Sequence, residues 1–339
     1  MLSVVPYPAC PLPARTDQVL VVDDAIGGVR LLDFLLRALP GRHPTDLRQR
    51  VFSGVVSVNG EVVLADRGLR GGDVVQIAAG AVPEPRRRSA GALPAVRFES
   101  SHCLVVEKPA GMTTVPDRLG RDRSVHALLP MLRPEADLRI VHRLDRDTSG
   151  CLILAKGLAA AQHFDAAFQA GSVQKTYTAL VNGVPPQLQF AIEAWLGPDP
   201  RRKGKVVAAA DEQPGFRQAH TEVVREAAFE RHALLSLRPR TGRSHQLRVH
   251  LQWAGYAIVG DRDYGGEPLL LSQLKPGYKL RPGVPETPLT KRMFLHASRV
   301  EFLDLDGTPV GVASPLPDDL ALALHKLETY DPRRRRPCD

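Results

Sequence analysis

Cysteine is scarce in this chain and nowhere paired: Cys10, Cys103, Cys151 and Cys338 are scattered, with no CxxC among them. That spacing argues against a zinc site and a disulfide scaffold, and it fits a reducing cytoplasm. There is also no run of 18 apolar residues, so no segment is expected to span a membrane. Pro6, Pro8, Pro11 and Pro13 break up the N-terminal stretch and rule out a signal-peptide helix. Aromatic residues make up only 5%, so any stacking on bases would rest on a few rings rather than a platform. Neither a glycine-rich nucleotide loop nor a metal-ligand spacing is found.

What is abundant is positive charge. The formal net charge is +8, and the excess is clumped as "PRRRS" at 85–89, "RRKGK" at 201–205 and "RRRR" at 333–336. Such clumps read either as solvated surface or as contacts to a phosphate backbone, and charge alone does not choose.

The length of 339 residues suggests about two domains. "VRLLDFLLRAL" (29–39) has helical apolar spacing and stops at Pro40-Gly41. "TDLRQRVFSG" (45–54) offers Thr45 as N-cap, Asp46 in the first turn and Gly54 as a stop. In "VVSVNGEVV" the Asn59-Gly60 pair between β-branched runs predicts a hairpin, and "GDVVQIAA" (72–79) reads as a further strand. A linker rich in proline, glycine and charge follows, "AVPEPRRRSAGALPA", at 81–95. The order helix, helix, "VNG", "GDVV" resembles the S-four RNA-binding domain. The resemblance assigns residues 21–80 to such a module, after an extension at 1–20, with Arg48 and Arg50 on its basic helix as RNA contacts.

The remainder, 96–327 before a basic tail at 328–339, interleaves strands and helices irregularly. An α+β domain built on a mixed sheet is expected. "HCLVVEKPAGM" and "CLILAK" read as buried strands, "AAAQHFDAAFQAG" as a helix ended by Gly171, and "VQKTYTALVNG" and "HALLSLRP" as strands. "TGRSHQLRVHLQWAG" (241–255) predicts a helix. Its buried stripe would be Leu247, Leu251 and Ala254, with Ser244, His245, Arg248 and Gln252 opposite. Forked and planar donors on that polar face suit a polynucleotide or a buried carboxylate better than plain solvent.

Within "VHRLDRDTSG" (141–150) a single acid, Asp145, sits among His142, Arg143 and Arg146 before a turn expected at Thr148-Ser149-Gly150. A loop aspartate is commonly a turn former. Flanking arginines, however, favour an ionised carboxylate, which is a poor proton donor but a good nucleophile or stabiliser of a cationic sugar carbon.

The blocks "VEKPAGMTTVP", "VHRLDRDTSGCLILAK", "KTYTALVNG", "LRPRTGRSHQLRVHLQWAGYAIVGDRDYGG" and "RMFLHA" occur in the order of the RluA family of RNA pseudouridine synthases. The chain resembles that family over about residues 96–315. The resemblance implies an isomerase that converts specific uridines of ribosomal or transfer RNA to pseudouridine, a rearrangement that needs no redox step or group carrier, so no cofactor or metal is expected. It makes Asp145 the catalytic acid, Tyr177 the active-site tyrosine and Arg248 the guanidinium paired with Asp145. His142, Arg143, Lys175, Arg243 and His245 become substrate contacts. Taken alone, Tyr177 in an alternating strand would be core and Arg248 helix surface. Two routes stay open: attack on the sugar, or departure of the base assisted through the ribose. A binding protein that kept only the fold would have lost Asp145, Tyr177 or Arg248, and a glycosidase would want a second acid at matched spacing. A monomer is expected, since no apolar helix is left unexplained.

Overall fold

A computed structural model describes residues 16–24, 28–39, 47, 50, 51, 55–63, 66–78, 93–116, 123–275, 277–280, 283 and 285–331. The chain separates into two compact units, dividing near residue 92. In the N-terminal unit, strands β1 (Thr16–Val21), β2 (Val56–Val58), β3 (Glu61–Val62) and β4 (Val74–Ala78) form an antiparallel sheet in the order β1-β4-β2-β3. Helix α1 (Leu31–Ala38) buries Leu31, Leu32, Phe34 and Leu35 in a core shared with Val56, Val58, Val75 and Ile77. The hairpin predicted at Asn59-Gly60 is present. Both residues have positive φ (55° and 82°), which matches the twist of the flanking strands. Strand β1 escaped the sequence reading, which ended the N-terminal extension at residue 20; it lies on the sheet edge beside β4. Of the second helix only Leu47, Arg50 and Val51 are described, all helical; Arg48 lies outside the described residues.

The second unit contains β5 (Ala95–Glu99), β6 (Cys103–Lys108), α2 (Val125–Leu132), β7 (Leu138–Ile140), β8 (Ser149–Lys156) and α3 (Gly157–Gln169). After these come β9 (Gln174–Asn182), β10 (Gln189–Pro198), β11 (Val206–Ala209), β12 (Arg217–Ala228), β13 (His232–Pro239) and α4 (Gln246–Trp253). The chain closes with α5 (Leu271–Leu274), β14 (Leu295–Leu303), β15 (Pro309–Ala313) and α6 (Asp318–Tyr330). One sheet runs β11-β10-β12-β13-β9-β14-β8-β6-β5, with β15 beside β14 and β7 beside β8. Among the described strand pairs only β14–β8 is parallel, so the sheet is mixed and the domain α+β.

The stretches Cys103–Val106 of β6 and Cys151–Ala155 of β8 are continuously apolar and buried because both faces of the sheet are covered there. Leu104, Val106, Leu152 and Leu154 belong to one core. Cys103, Val105, Cys151 and Ile153 belong to another, which also holds Phe164 of α3. Among the described residues no helix is long and apolar enough to cross a membrane.

The expected turn at Thr148-Ser149-Gly150 is corrected: β8 already begins at Ser149, and Ser149 and Gly150 are buried. Gly150 is required by close approach. Its φ is +116°, and a Cβ there would lie 2.2 Å from the Ala297 carbonyl oxygen of β14. Ala297 pairs with Gly150 on one side and with Tyr177 of β9 on the other. One row of backbone therefore fixes the end of the Asp145 loop relative to Tyr177.

Candidate active site

The loop 141–148 between β7 and β8 carries Asp145, and buried side chains distant in sequence satisfy its backbone. Thr114 Oγ1 donates to Leu144 O (2.9 Å) and accepts from Leu144 N–H (3.0 Å). Lys108, fully buried, donates from Nζ to the carbonyls of Pro109 (3.1 Å), Met112 (2.7 Å) and Arg146 (3.1 Å). Arg292 donates to Asp147 O (3.2 Å) while held by Asp319 of α6 at 2.7 and 3.1 Å. Buried backbone groups without partners are costly, so these contacts hold the loop in one conformation. Burial pushes the Lys108 ammonium down to about 7, against the pull of Asp145 and Asp147.

Asp145 opens into a cavity of about 690 Å³ lined also by Arg143, Lys175, Tyr177, Arg243, His245 and Arg248. Among the described residues its carboxylate has one hydrogen-bond partner, Arg248 Nη1 at 3.4 Å. The expected pairing of Arg248 with Asp145 therefore exists but is the weakest bond the guanidinium makes. Arg248, 8% exposed, is clamped by the buried Asp261 through Nε (2.7 Å) and Nη2 (2.8 Å), and Nη2 also reaches Asp263 (3.1 Å). The Tyr264 ring lies 4.7 Å from the guanidinium carbon. Burial opposes the charge on Arg248, but hydrogen bonds and attraction from Asp261, with Asp145 and Asp263, outweigh it and raise its pKa.

The helix expected over 241–255 starts only at Gln246. The Gln246 side chain folds back, accepting from Thr241 Oγ1 (2.8 Å) and Arg243 N–H (3.0 Å) and donating to His220 O and Thr221 Oγ1 (both 3.0 Å). This ties residues 241–245 to β12 as a loop. His245 sits at φ +53° with Nδ1 2.7 Å from Tyr264 Oη. Of the predicted polar face, Ser244 and Gln252 are exposed and His245 is half-buried, but Arg248 is corrected to a buried residue, enclosed with Gln246, Val249 and His250 alongside Leu247 and Leu251.

The remaining predicted residues occupy distinct places. Arg143 is exposed at the cavity wall. Lys175 stands 5.3 Å from the Phe168 ring, its pKa lowered by burial. Arg243 is half-buried and donates from Nε to Gln218 O (3.1 Å). His142 is committed to the fold: its Nε2 accepts from Ile153 N–H (2.8 Å), and burial with the nearby Lys175 charge pushes the imidazole down to about 3. The ring is therefore neutral.

His250 provides a measurable consequence. Its ring is fully buried, Nδ1 lies 3.0 Å from Thr221 Oγ1, and Nε2 has no hydrogen-bond partner among the described residues. Burial, with the His220 charge, lowers its pKa from 6.5 to about 4. Below pH 6.5 the unfolded chain binds a proton that the folded chain refuses until about pH 4, so stability falls as pH drops through that window. The loss reaches about 3 kcal/mol. His250→Gln should flatten the dependence of denaturant midpoint on pH between 6.5 and 4; an unchanged slope would exclude His250 as its source.

A carboxylate, a buried guanidinium and a tyrosine thus line one cavity against this mixed sheet. Residues 102–253 match the RNA pseudouridylate synthase family. Ribosomal large subunit pseudouridine synthase C of Vibrio vulnificus is 31% identical over 323 residues, covering 92% of this chain and 97% of that protein. Ribosomal large subunit pseudouridine synthase D of Xanthomonas campestris pv. campestris is 33% identical over 323 residues, covering 91% and 92%. The solved structure of human RNA Pseudouridylate Synthase Domain Containing 1 superposes with TM-score 0.51 at 26% identity, covering 67% of this chain and 86% of that one. The chain belongs to the RNA pseudouridylate synthase family, as a member of its RluA branch.

Asp261, Asp263, Thr114, Lys108 and Arg292 were not singled out from the sequence. Asp261 and Asp263 lie inside the quoted "VGDRDYGG", and a buried arginine on α4 would have been the signal to look for its acid there.

Proposed function

We propose that this enzyme isomerises uridines of large-subunit ribosomal RNA to pseudouridine, with Asp145 acting on the ribose of the target nucleotide. The observation that carries the role of Asp145 is its placement: the acid lies inside a basic cavity, and among the described residues its carboxylate is bonded only through Arg248 Nη1. A uridine turned out of its strand fits a cavity of this size. There the bond between N1 of uracil and C1′ breaks, the base turns, C5 bonds to C1′, and the proton on C5 leaves. Asp145 serves this chemistry either as nucleophile at C1′ or as base toward the ribose.

Tyr177 supplies a ring against the uracil. Burial, with Asp145 and Cys151, raises its phenol above the ordinary range, so the ring meets the base as a neutral phenol. Arg143, Lys175, Arg243 and His245 line the approach for the flanking strand. In the S-four-like unit, Arg48 and Arg50 would add phosphate contacts. The choice of ribosomal over transfer RNA is supported by the two relatives, both named for the ribosomal large subunit.

Pseudouridine mapping on large-subunit ribosomal RNA from cells with and without this gene tests the target. One or a few sites should vanish on deletion and return with the wild-type gene. An unaltered large-subunit map, with sites lost from transfer RNA instead, would overturn the target.

A further inference from the structure

The segment 199–205 between β10 and β11 holds Arg201, Arg202, Lys203 and Lys205 against one acid, Asp199. It is seated on the dipeptide Asp263-Tyr264 beside Arg248. Arg202 Nη1 donates to Asp263 O (3.2 Å), Val206 N–H donates to Tyr264 Oη (3.1 Å), and Lys205 Nζ pairs with the Asp263 carboxylate. Gly204, next to Lys205, lines the active-site cavity. Asp263 is thus shared between a lysine on a basic hairpin and Nη2 of Arg248. Both members can be reached from solvent, with side-chain exposures of 27% for Lys205 and 46% for Asp263.

We propose that Lys205 exchanges Asp263 for a phosphate of the RNA strand at the pocket, and that Asp263 is a positioning residue that passes this exchange on to Arg248. The proposal rests on the reading of function above. While Lys205 neutralises Asp263, Arg248 can spare Nη1 for Asp145. Once phosphate claims Lys205, the full charge of Asp263 acts on Arg248 alone. The bond that yields is the longest of the set, the 3.4 Å contact to Asp145, against 2.7, 2.8 and 3.1 Å to the other acids. The carboxylate then faces the ribose unencumbered, and only when RNA is seated. Lys205 holds the Asp263 carboxyl below its usual range, Arg248 adding to the effect, as expected for an acid poised between two cations.

Full-length wild type, Lys205→Met, Asp263→Asn, Asp263→Glu and Asp145→Asn should be compared in single-turnover assays on a large-subunit ribosomal RNA transcript across a potassium chloride series. Lys205→Met should raise the half-saturating enzyme concentration about fivefold, with the saturating rate kept. It should also make the log–log salt slope shallower by about one. Asp263→Asn should leave half-saturation near wild type and lower the saturating rate about tenfold, and Asp263→Glu should restore most of it. An unchanged salt slope in Lys205→Met, or a full saturating rate in Asp263→Asn, would overturn the coupling. That result would leave the role of Asp145 intact, since wild-type turnover and its loss in Asp145→Asn are read in the same series. Absence of turnover by wild type would instead overturn the target and this inference together.

Discussion

Asp145→Asn should abolish pseudouridine formation while leaving RNA affinity within about twofold. Loss of a group that acts directly on the reacting atoms costs roughly 10⁴-fold or more in rate. The substitution is nearly isosteric, and its amide oxygen can still accept from Arg248 Nη1. Arg248 itself stays anchored by Asp261 and Asp263, so the fold should not change. What disappears is the negative charge and the nucleophilic or basic oxygen. Tritium release from RNA labelled at C5 of uridine measures turnover, and filter binding measures affinity. Conversion at the normal rate would remove Asp145 from the chemistry.

Asp261→Ala should have the largest effect on stability. Asp261, 2% exposed, makes the two shortest bonds to a guanidinium that is itself buried. Removing one partner of a buried pair leaves the other charge uncompensated, at a cost of about 3–5 kcal/mol. Asp263, more exposed and shared with Lys205, cannot replace it. Activity should fall alongside, because Arg248 would turn toward whichever carboxylate remains. Urea denaturation reads the first effect and single-turnover kinetics the second. A loss below about 1 kcal/mol would show that Arg248 is held by other means. The double variant Arg248→Met/Asp261→Leu should recover much of the stability but none of the activity, because an apolar pair of similar volume avoids the desolvation cost.

Local pattern made much of this fold legible. Period-two alternation gave β9 and β13, the Asn59-Gly60 pair gave the hairpin, and continuous apolar runs gave β6 and β8. The segment at 241–245 deceived because its composition is compatible with a helix; Gln246 wins it for a loop by bonding to β12, a partner more than twenty residues away. For the same reason the motifs marked Asp145, Tyr177 and Arg248 but not what holds them. Thr114 meets Leu144 across 30 residues, Lys108 meets Arg146 across 38, and Arg292 meets Asp147 across 145. No periodicity reports a contact over such separations. Asp261 lies only 13 residues from Arg248, yet that link became visible only once the helix proved to be buried.

The row Gly150–Ala297–Tyr177 works as a ruler, with β14 as its middle mark. Inserting or deleting one residue between Arg292 and Ala297 would shift the register of β14 against two strands at once and turn its inward side chains outward. Length changes should therefore be tolerated on the hairpins at the far edge of the sheet and refused here. Circular permutation or tag insertion in this protein should avoid the segment 292–298.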